Sequence, residues 1–366
     1  SDPFWFQAFG CLLGMDWHSS GITTSVMGAL KRGLRDRQRQ LGLYVCGGRG
    51  RHSLRTPREL YEVAERTGLD GDDLVRTSRL IARVDNNAVQ DGYTVYLHSF
   101  VVTSEGDWTV IQQGMNPSAR MARRYHWHSA RVHSFVEEPH SAVVGENRGI
   151  ILNLTDNRAA DCRNAVLERV LDKPGNTLRE LVRIRKLRLP SRHHVMPSDV
   201  VLSRLAAVLQ AARTRPPAEF SDVLLLPGLG PRSLEALVLA AEVIHGAPAR
   251  FSDPARFAFA HGGKDGHPHP VHTKVYDRTI EQLESALGRA RTGSREKLEA
   301  IRRLERLQRR LESSIGKPSS ELVAIAQTRG RRDSPLLGGR TVNGSDRKLD
   351  GQLSLAFDMV GPANKP

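Results

Sequence analysis

The stretch "YTVYLHSFVVTSEGDWTVIQQGM", Tyr93 to Met115, decides how this chain is read. Two runs rich in Val, Tyr, Phe, Thr and Trp alternate with a period of two, and Ser104, Glu105, Gly106 and Asp107 between them have turn chemistry. The stretch is therefore expected to be a β-hairpin. An isolated hairpin is marginal in water, so it needs a helical or further stranded layer against it.

The flanking sequence offers both. "LGLYVCGG", Leu41 to Gly48, reads as a short buried strand ended by paired glycines. From Arg55 to Val84 the chain reads as two helices: Thr56 caps the first, Pro57 takes its first position, Glu59 completes a capping box, and Gly68 to Gly71 makes the break. Thr23 or Thr24 is expected to N-cap a helix reaching Gln40, and the apolar run from Phe4 to about Gly14 suits a buried helix or strand. After about Asn153 the strand signals fade and helical segments follow. The expected fold class is α+β, in four parts: a mixed domain with a β-hairpin or small sheet over 1–152; a mainly helical domain over 153–275; a long helical segment over 276–313, broken near Gly293 and Ser294; and a tail over 314–366. The tail is so rich in Ser, Gly, Arg, Asp and Pro that it is expected to be disordered.

Charge narrows the partner. Lys and Arg number 54 against 40 Asp and Glu, a formal +14 in 366 residues, which fits a protein that meets a phosphate-rich polymer. No apolar run approaches the roughly 18 residues of a membrane span, and the opening residues lack the basic region of a signal peptide. Cys11, Cys46 and Cys162 are odd in number and contain no CxxC pair, so neither a disulfide framework nor a structural zinc site is indicated. A reducing, cytoplasmic, nucleoid-associated location is expected, with no nucleotide or organic cofactor.

The most specific local motif is "EFSDVLLLPGLGPRSLEALVLAAEVI", Glu219 to Ile244. It resembles a helix-hairpin-helix, assigned here to residues 220–245. Gly228 and Gly230 permit a tight turn and close approach, Leu229 plugs the core, and the first N–H groups of the second helix, near Arg232 and Ser233, face a phosphate. Such a contact holds DNA by its backbone without reading sequence. The basic stretch Thr177 to Arg192, with Arg179, Arg183, Arg185, Lys186, Arg188 and Arg192, is either a solvated helix face or a second phosphate track.

Two sets of residues offer chemistry. Asp16 and His18 in one loop, Asp85 and Asp91 before the strand that bears His98, and Glu138 and His140 further on form a candidate catalytic set. Asp16, His18, Asp85 and Asp91 are its candidate ligands for a divalent Mg or Mn ion that would activate water for attack at phosphorus. No spacing here matches a known metal or phosphate signature. Separately, "GAPARFSD", Gly246 to Asp253, has the Gly-x-Pro and Asp spacing of helix-hairpin-helix DNA glycosylases, with Asp253 in the role that stabilises a cationic sugar; the alternative is a turn residue before Pro254. The His-rich loop from His261 to His272 is a metal tract, a phosphate loop or a plain connection.

"FWFQAFGCLLGMDWHSSGITT", "ARVDNNAVQDGYTVYLHSFVV", "VIQQGMN", "ARRYHWHS", "FVEEPH" and "FAHGGKDGHPHPV" occur in that order. Together they resemble the prokaryotic family catalogued as domain of unknown function 763, over roughly residues 1 to 290. The resemblance implies no particular activity, and it implies a short segment ahead of Ser1.

The tail carries one more signal. Gln352, Leu353, Leu355 and Phe357 in "QLSLAF" (352–357) fit the hexapeptide by which bacterial proteins bind the sliding clamp. The Gln amide both donates and accepts, and Leu355 and Phe357 fill an apolar pocket. A strand folded back on the body is the alternative. Three functions are therefore expected in order: a DNA repair or replication enzyme acting as a metal-dependent nuclease and recruited by the bacterial sliding clamp; a glycosylase centred on Asp253; and a DNA-binding clamp adaptor without catalysis.

Overall fold

The computed structural model describes residues 2–13, 15, 21–119, 121–184, 202–257, 273–290 and 293–314. Its centre is the hairpin: β3 (Thr94–Thr103) and β4 (Trp108–Asn116) pair antiparallel, with Val102 opposite Trp108 across the turn. Strands β1 (Leu43–Arg49), β5 (Met121–His128) and β6 (Ala142–Val144) extend it to an antiparallel sheet of order β1-β3-β4-β5-β6.

Both faces of this sheet are covered, which explains why the alternation is apolar on each side. Cys46, Phe100, Val102, Val110, Tyr125 and Trp127 join one core with α4 (Thr56–Thr67) and α5 (Gly71–Arg83). On the other face, Val45 and Ile111 meet Phe6 of α1 (Pro3–Leu12) and Ile22 and Val26 of α2 (Gly21–Leu34). The mixed N-terminal region is thus a sheet between two helical layers.

Several helix ends differ from the sequence reading. Helix α2 begins at Gly21, with Thr23 and Thr24 already inside its first turn, and stops at Leu34; a separate short α3 (Gln38–Leu41) leads into β1. Thr56 makes no capping box. Its hydroxyl donates to Ser53 O at 2.7 Å, while Glu59 Oε2 takes the Lys31 ammonium and the Gly47 N–H, each at 2.6 Å. A long-range ion pair competes successfully for the side chain that the local motif would have used. The expected break holds: Gly68 ends α4 in the left-handed region at φ 79°, and Asp70 accepts from the Asp72 and Asp73 N–H groups to start α5.

Beyond α5 the chain makes one π-helical turn, Val84–Ala88, and then β2 (Val89–Gln90), which pairs with β7 (Leu152–Asn153). The C-terminal region is mainly helical: α6 (Ala160–Leu171), α7 (Pro174–Ile184), α8 (Leu202–Thr214), α9 (Phe220–Leu224) and α10 (Pro231–Val243). Their apolar faces continue the core of α4 and α5, from Leu80 and Trp127 to Leu209 and Leu237, without interruption. Helices α11 (Thr273–Arg289) and α12 (Ser294–Ser314) follow, and Leu283 and Leu304 pack on Ala8 of α1. Among the described residues no helix is long and apolar enough to cross a membrane.

Candidate nucleic-acid interface

Helices α9 and α10 are joined by a tight turn whose backbone the sequence dictates. Gly228 has φ 80°, where a side chain is strained, and Gly230 is extended at φ −123° ahead of Pro231 at the first helical position. Leu229 between them is only 1% exposed and seals the core, whereas Pro227, Gly228, Pro231 and Arg232 face solvent. Ser233 is half-buried one residue further along α10.

The turn is held from behind by one stretch of chain. Arg83 Nη1 donates to Leu229 O at 3.0 Å, Asn87 Nδ2 reaches the same oxygen at 3.5 Å, and Gln90 Nε2 donates to Pro231 O at 3.1 Å. The π-turn makes this possible, because its extra residue per turn redirects the chain between Arg83 and Gln90. In a trans peptide C=O and N–H point in opposite directions. With the carbonyls of Leu229 and Pro231 drawn inward, the N–H groups of Gly230 and Arg232 are aimed outward, at the helix N-terminus where the backbone dipoles favour an anion. Arg83 and Asn87 were not singled out by the sequence, which gives no sign that they would meet a turn more than a hundred residues downstream.

The candidate catalytic residues fall into two buried networks. Asp85 is fully buried; its Oδ1 is 2.6 Å from His140 Nε2, and its Oδ2 accepts from Trp127 Nε1 at 3.0 Å and from Gln112 Nε2. Gln112 Oε1 in turn receives His98 Nδ1 at 2.7 Å, which leaves His98 Nε2 to accept from the Ser78 hydroxyl at 2.9 Å. Burial lowers the His98 pKa, consistent with a neutral ring carrying its proton on Nδ1.

The second network joins Asp91 to Asp253. Arg123, with no exposed side-chain surface, donates from Nη1 to Asp91 at 2.8 Å and from Nη2 to Asp253 at 2.7 Å. Asp91 also accepts from Tyr125 OH at 2.6 Å and from Tyr93 N at 3.0 Å, and Asp253 accepts from the N–H groups of Arg148 and Ala255. Burial pushes the Asp91 carboxyl up against the opposing pull of Arg123. Burial likewise works against the guanidinium, but the two carboxylates outweigh it and hold Arg123 charged. The neighbouring Arg124 has no such help: burial pulls it down to about 9, with its guanidinium on His126 and over the Phe6 ring.

Asp85 and His140 are therefore brought together, Asp91 and Asp253 are joined through Arg123, and Glu138 is exposed with a strained φ of 42°. Asp16, His18, the end of the basic stretch beyond Ile184, the His261 to His272 loop and the Gln352, Leu353, Leu355 and Phe357 peptide lie outside the described residues. Among the described residues no group of three or more His, Cys, Asp or Glu side chains is gathered as for a metal ion. The oxygens of Asp85 and Asp91 are turned toward donors of the protein itself.

No curated protein and no solved structure matches the chain. A protein-family pattern does, over residues 1–271, a span that holds the sheet, the Asp85 and Arg123 networks and the α9–α10 turn. The chain belongs to the family described as protein of unknown function DUF763.

Proposed function

We propose that this protein binds DNA along its backbone through a helix-hairpin-helix formed by α9, the Pro227 to Gly230 turn and α10, and that it serves DNA repair or replication. The observation that carries the reading is the inward hold on the Leu229 and Pro231 carbonyls by Arg83, Asn87 and Gln90, which turns the Gly230 and Arg232 N–H groups outward. The exposed Arg232, whose Nη1 lies 3.9 Å from Glu235, adds a cation at the same point, and the formal +14 of the chain adds long-range attraction. A nuclease centred on Asp85 and Asp91 is supported less well, because a metal would have to displace Trp127 and Gln112 from one carboxylate and Arg123 from the other. A glycosylase centred on Asp253 meets the same obstacle, since Arg123 and two backbone N–H groups already hold its carboxylate.

Binding of a labelled duplex at several salt concentrations tests the proposal. Affinity should fall with salt with a log-log slope of several units, equally for unrelated sequences, because each neutralised phosphate releases counterions. Arg232→Glu should weaken binding about tenfold. A flat salt response, or no loss in that variant, overturns the assignment of the interface.

A further inference from the structure

Between β1 and α4 the chain makes a 3-10 turn, Gly50–Arg55, which carries Leu54. That side chain is 83% exposed, more than any other large apolar residue among those described. A single exposed leucine is ordinary. This one is set apart by its mount and by its surroundings.

The mount is rigid. The Ser53 hydroxyl donates to Gly50 O at 2.6 Å, and the hydroxyl and N–H of Thr56, a buried residue, both donate to Ser53 O. Upstream, Gly47 at φ 82° lies so close to His98 O that a β-carbon would collide with it, and its N–H is held by Glu59. The turn is thus tied to the sheet on one side and to α4 on the other.

The surroundings are cationic. Arg49, Arg51 and Arg55 are exposed, and among the described residues none of them pairs with a carboxylate. Glu59 and Glu62, in the first turns of α4, are already engaged, by Lys31 at 2.6 Å and by Arg58 at 3.0 Å. Helix α4 starts here with no side-chain cap, so the positive end of its dipole adds to the arginines. The turn also stands near the α9–α10 hairpin. Arg49 pairs with Leu97, and two residues away along β3 the Val95 N–H donates to Asn86 Oδ1 at 3.1 Å. The next residue, Asn87, reaches Leu229 O. This short chain of contacts puts both elements within reach of one duplex, whose helical turn is about 34 Å.

An acidic peptide or a bare phosphate would answer the arginines and leave the leucine in water. A base stack behind a phosphate backbone answers both. We propose that the 50–55 turn is a second DNA contact that opens a base step: Arg49, Arg51 and Arg55 hold phosphates, and Leu54 enters the minor groove and wedges between two base pairs, bending the duplex. This rests on the DNA-binding reading above. It gives the protein a preference for duplex that is already unstacked at a mismatch, where opening the step costs less.

The test uses the full chain and two duplexes of equal length and charge, one fully paired and one with two adjacent mismatches at its centre. We expect about tenfold tighter binding to the mismatched duplex, and a rise in energy transfer between fluorophores at the ends of the paired one as it bends. Leu54→Ala, at a site too exposed to unfold the protein, should bring the ratio toward one and remove the bend, while Leu54→Phe, which restores a wedge, should keep both. Arg51→Ala with Arg55→Ala should weaken binding to both duplexes and lower the log-log salt slope by about two. The proposal is overturned if Leu54→Ala keeps the ratio and the bend, or if the arginine pair leaves the slope as it was. It is overturned as well if Leu54→Ala loses binding to anionic phospholipid vesicles with its DNA ratio unchanged, which would make the turn a membrane contact. Absence of salt-dependent binding of the parent to either duplex would instead fail the DNA-binding reading itself. Weakened binding in Arg232→Glu, with no effect of the Leu54 or arginine variants, would keep that reading and fail this proposal alone.

Discussion

Asp91 and Asp253 are joined through one guanidinium: Arg123 places Nη1 2.8 Å from the first carboxylate and Nη2 2.7 Å from the second, with no side-chain surface of the three exposed. The link ties the turn after β2 to the segment after α10, so it couples the sheet region to the helical region. Removing one member of a buried ionic group leaves the others uncompensated and costs about 3–5 kcal/mol. Arg123→Met should therefore destabilise the protein by that order in urea unfolding. The triple variant with Asp91→Asn and Asp253→Asn should recover part of the loss, because no bare charge then remains. A triple variant no more stable than Arg123→Met would show that the charges are not the source of the effect. An alanine at Asp91 accordingly reports on folding before it can report on catalysis.

Asp85 presents the same issue in a different form. Its carboxylate meets Trp127, Gln112 and His140, and of these the Gln112 amide also donates to Ile81 O at 3.3 Å. Asp85→Ala should cost about 3 kcal/mol, as groups left unsatisfied in a core do. Asp85→Asn, which keeps an acceptor, should cost less. Thermal melts of the two variants decide the order, and equal losses would argue against the hydrogen-bonded role.

Much of this architecture was legible in the sequence. The period-two runs around Ser104 to Asp107 identified β3 and β4, and Gly68 to Gly71 located the junction of α4 and α5, because those signals act between near neighbours. The miss at Glu59 has a long-range cause. Glu59 answers Lys31 and Gly47 rather than Thr56, since an ion pair across the fold outweighs a local cap, whereas Asp253 keeps its local turn contact with Ala255 N and adds Arg123 to it. For the same reason Arg83 and Asn87 carried no readable signal: their partner, Leu229 O, is a backbone atom of a distant turn.

Asp156 should give the protein an acid-sensitive joint. Its carboxyl is held down at about 2, chiefly by the Arg158 side chain, and it also accepts from Arg158 N and the Ser252 hydroxyl. A carboxyl depressed in the folded state stabilises above its unfolded pKa and loses that contribution as pH falls through the folded one. Allowing for the solvent that reaches Arg158, Asp156→Asn should cost about 1 kcal/mol at pH 7. The gap between variant and parent should close between pH 4 and about 2. A gap constant across that range would place the stabilisation elsewhere.

The peptide from Asp350 to Met359 can be tested apart from the body. A linear segment loses conformational freedom on binding, so its affinity for bacterial sliding clamp should be modest, about micromolar, and rest on Leu355 and Phe357. In the full chain, Gln352→Ala with Leu355→Ala should remove clamp binding and leave DNA affinity as it was. Failure of the synthetic peptide to bind the clamp withdraws recruitment.

Gly228 and Gly230 separate the fold of the hairpin from its contact with DNA. Gly228 sits at φ 80°, so Gly228→Val should strain the turn and lower stability by about 1–2 kcal/mol whatever the ligand. Gly230 is extended, and a β-carbon there would meet no atom of the protein within 4 Å. Gly230→Val should leave the melting temperature nearly unchanged. Its branched side chain would nevertheless stand between the outward Gly230 N–H and any phosphate approaching it, so binding should weaken about tenfold on every duplex alike. Removing both donors to Leu229 O, in Arg83→Leu with Asn87→Leu, should reproduce that weakening more mildly by releasing the carbonyl, and combining the pair with Gly230→Val should give less than the product of the effects, because all act on one contact. If Gly230→Val binds DNA as the parent does, the α9–α10 turn does not touch the backbone and the interface must be sought on another face.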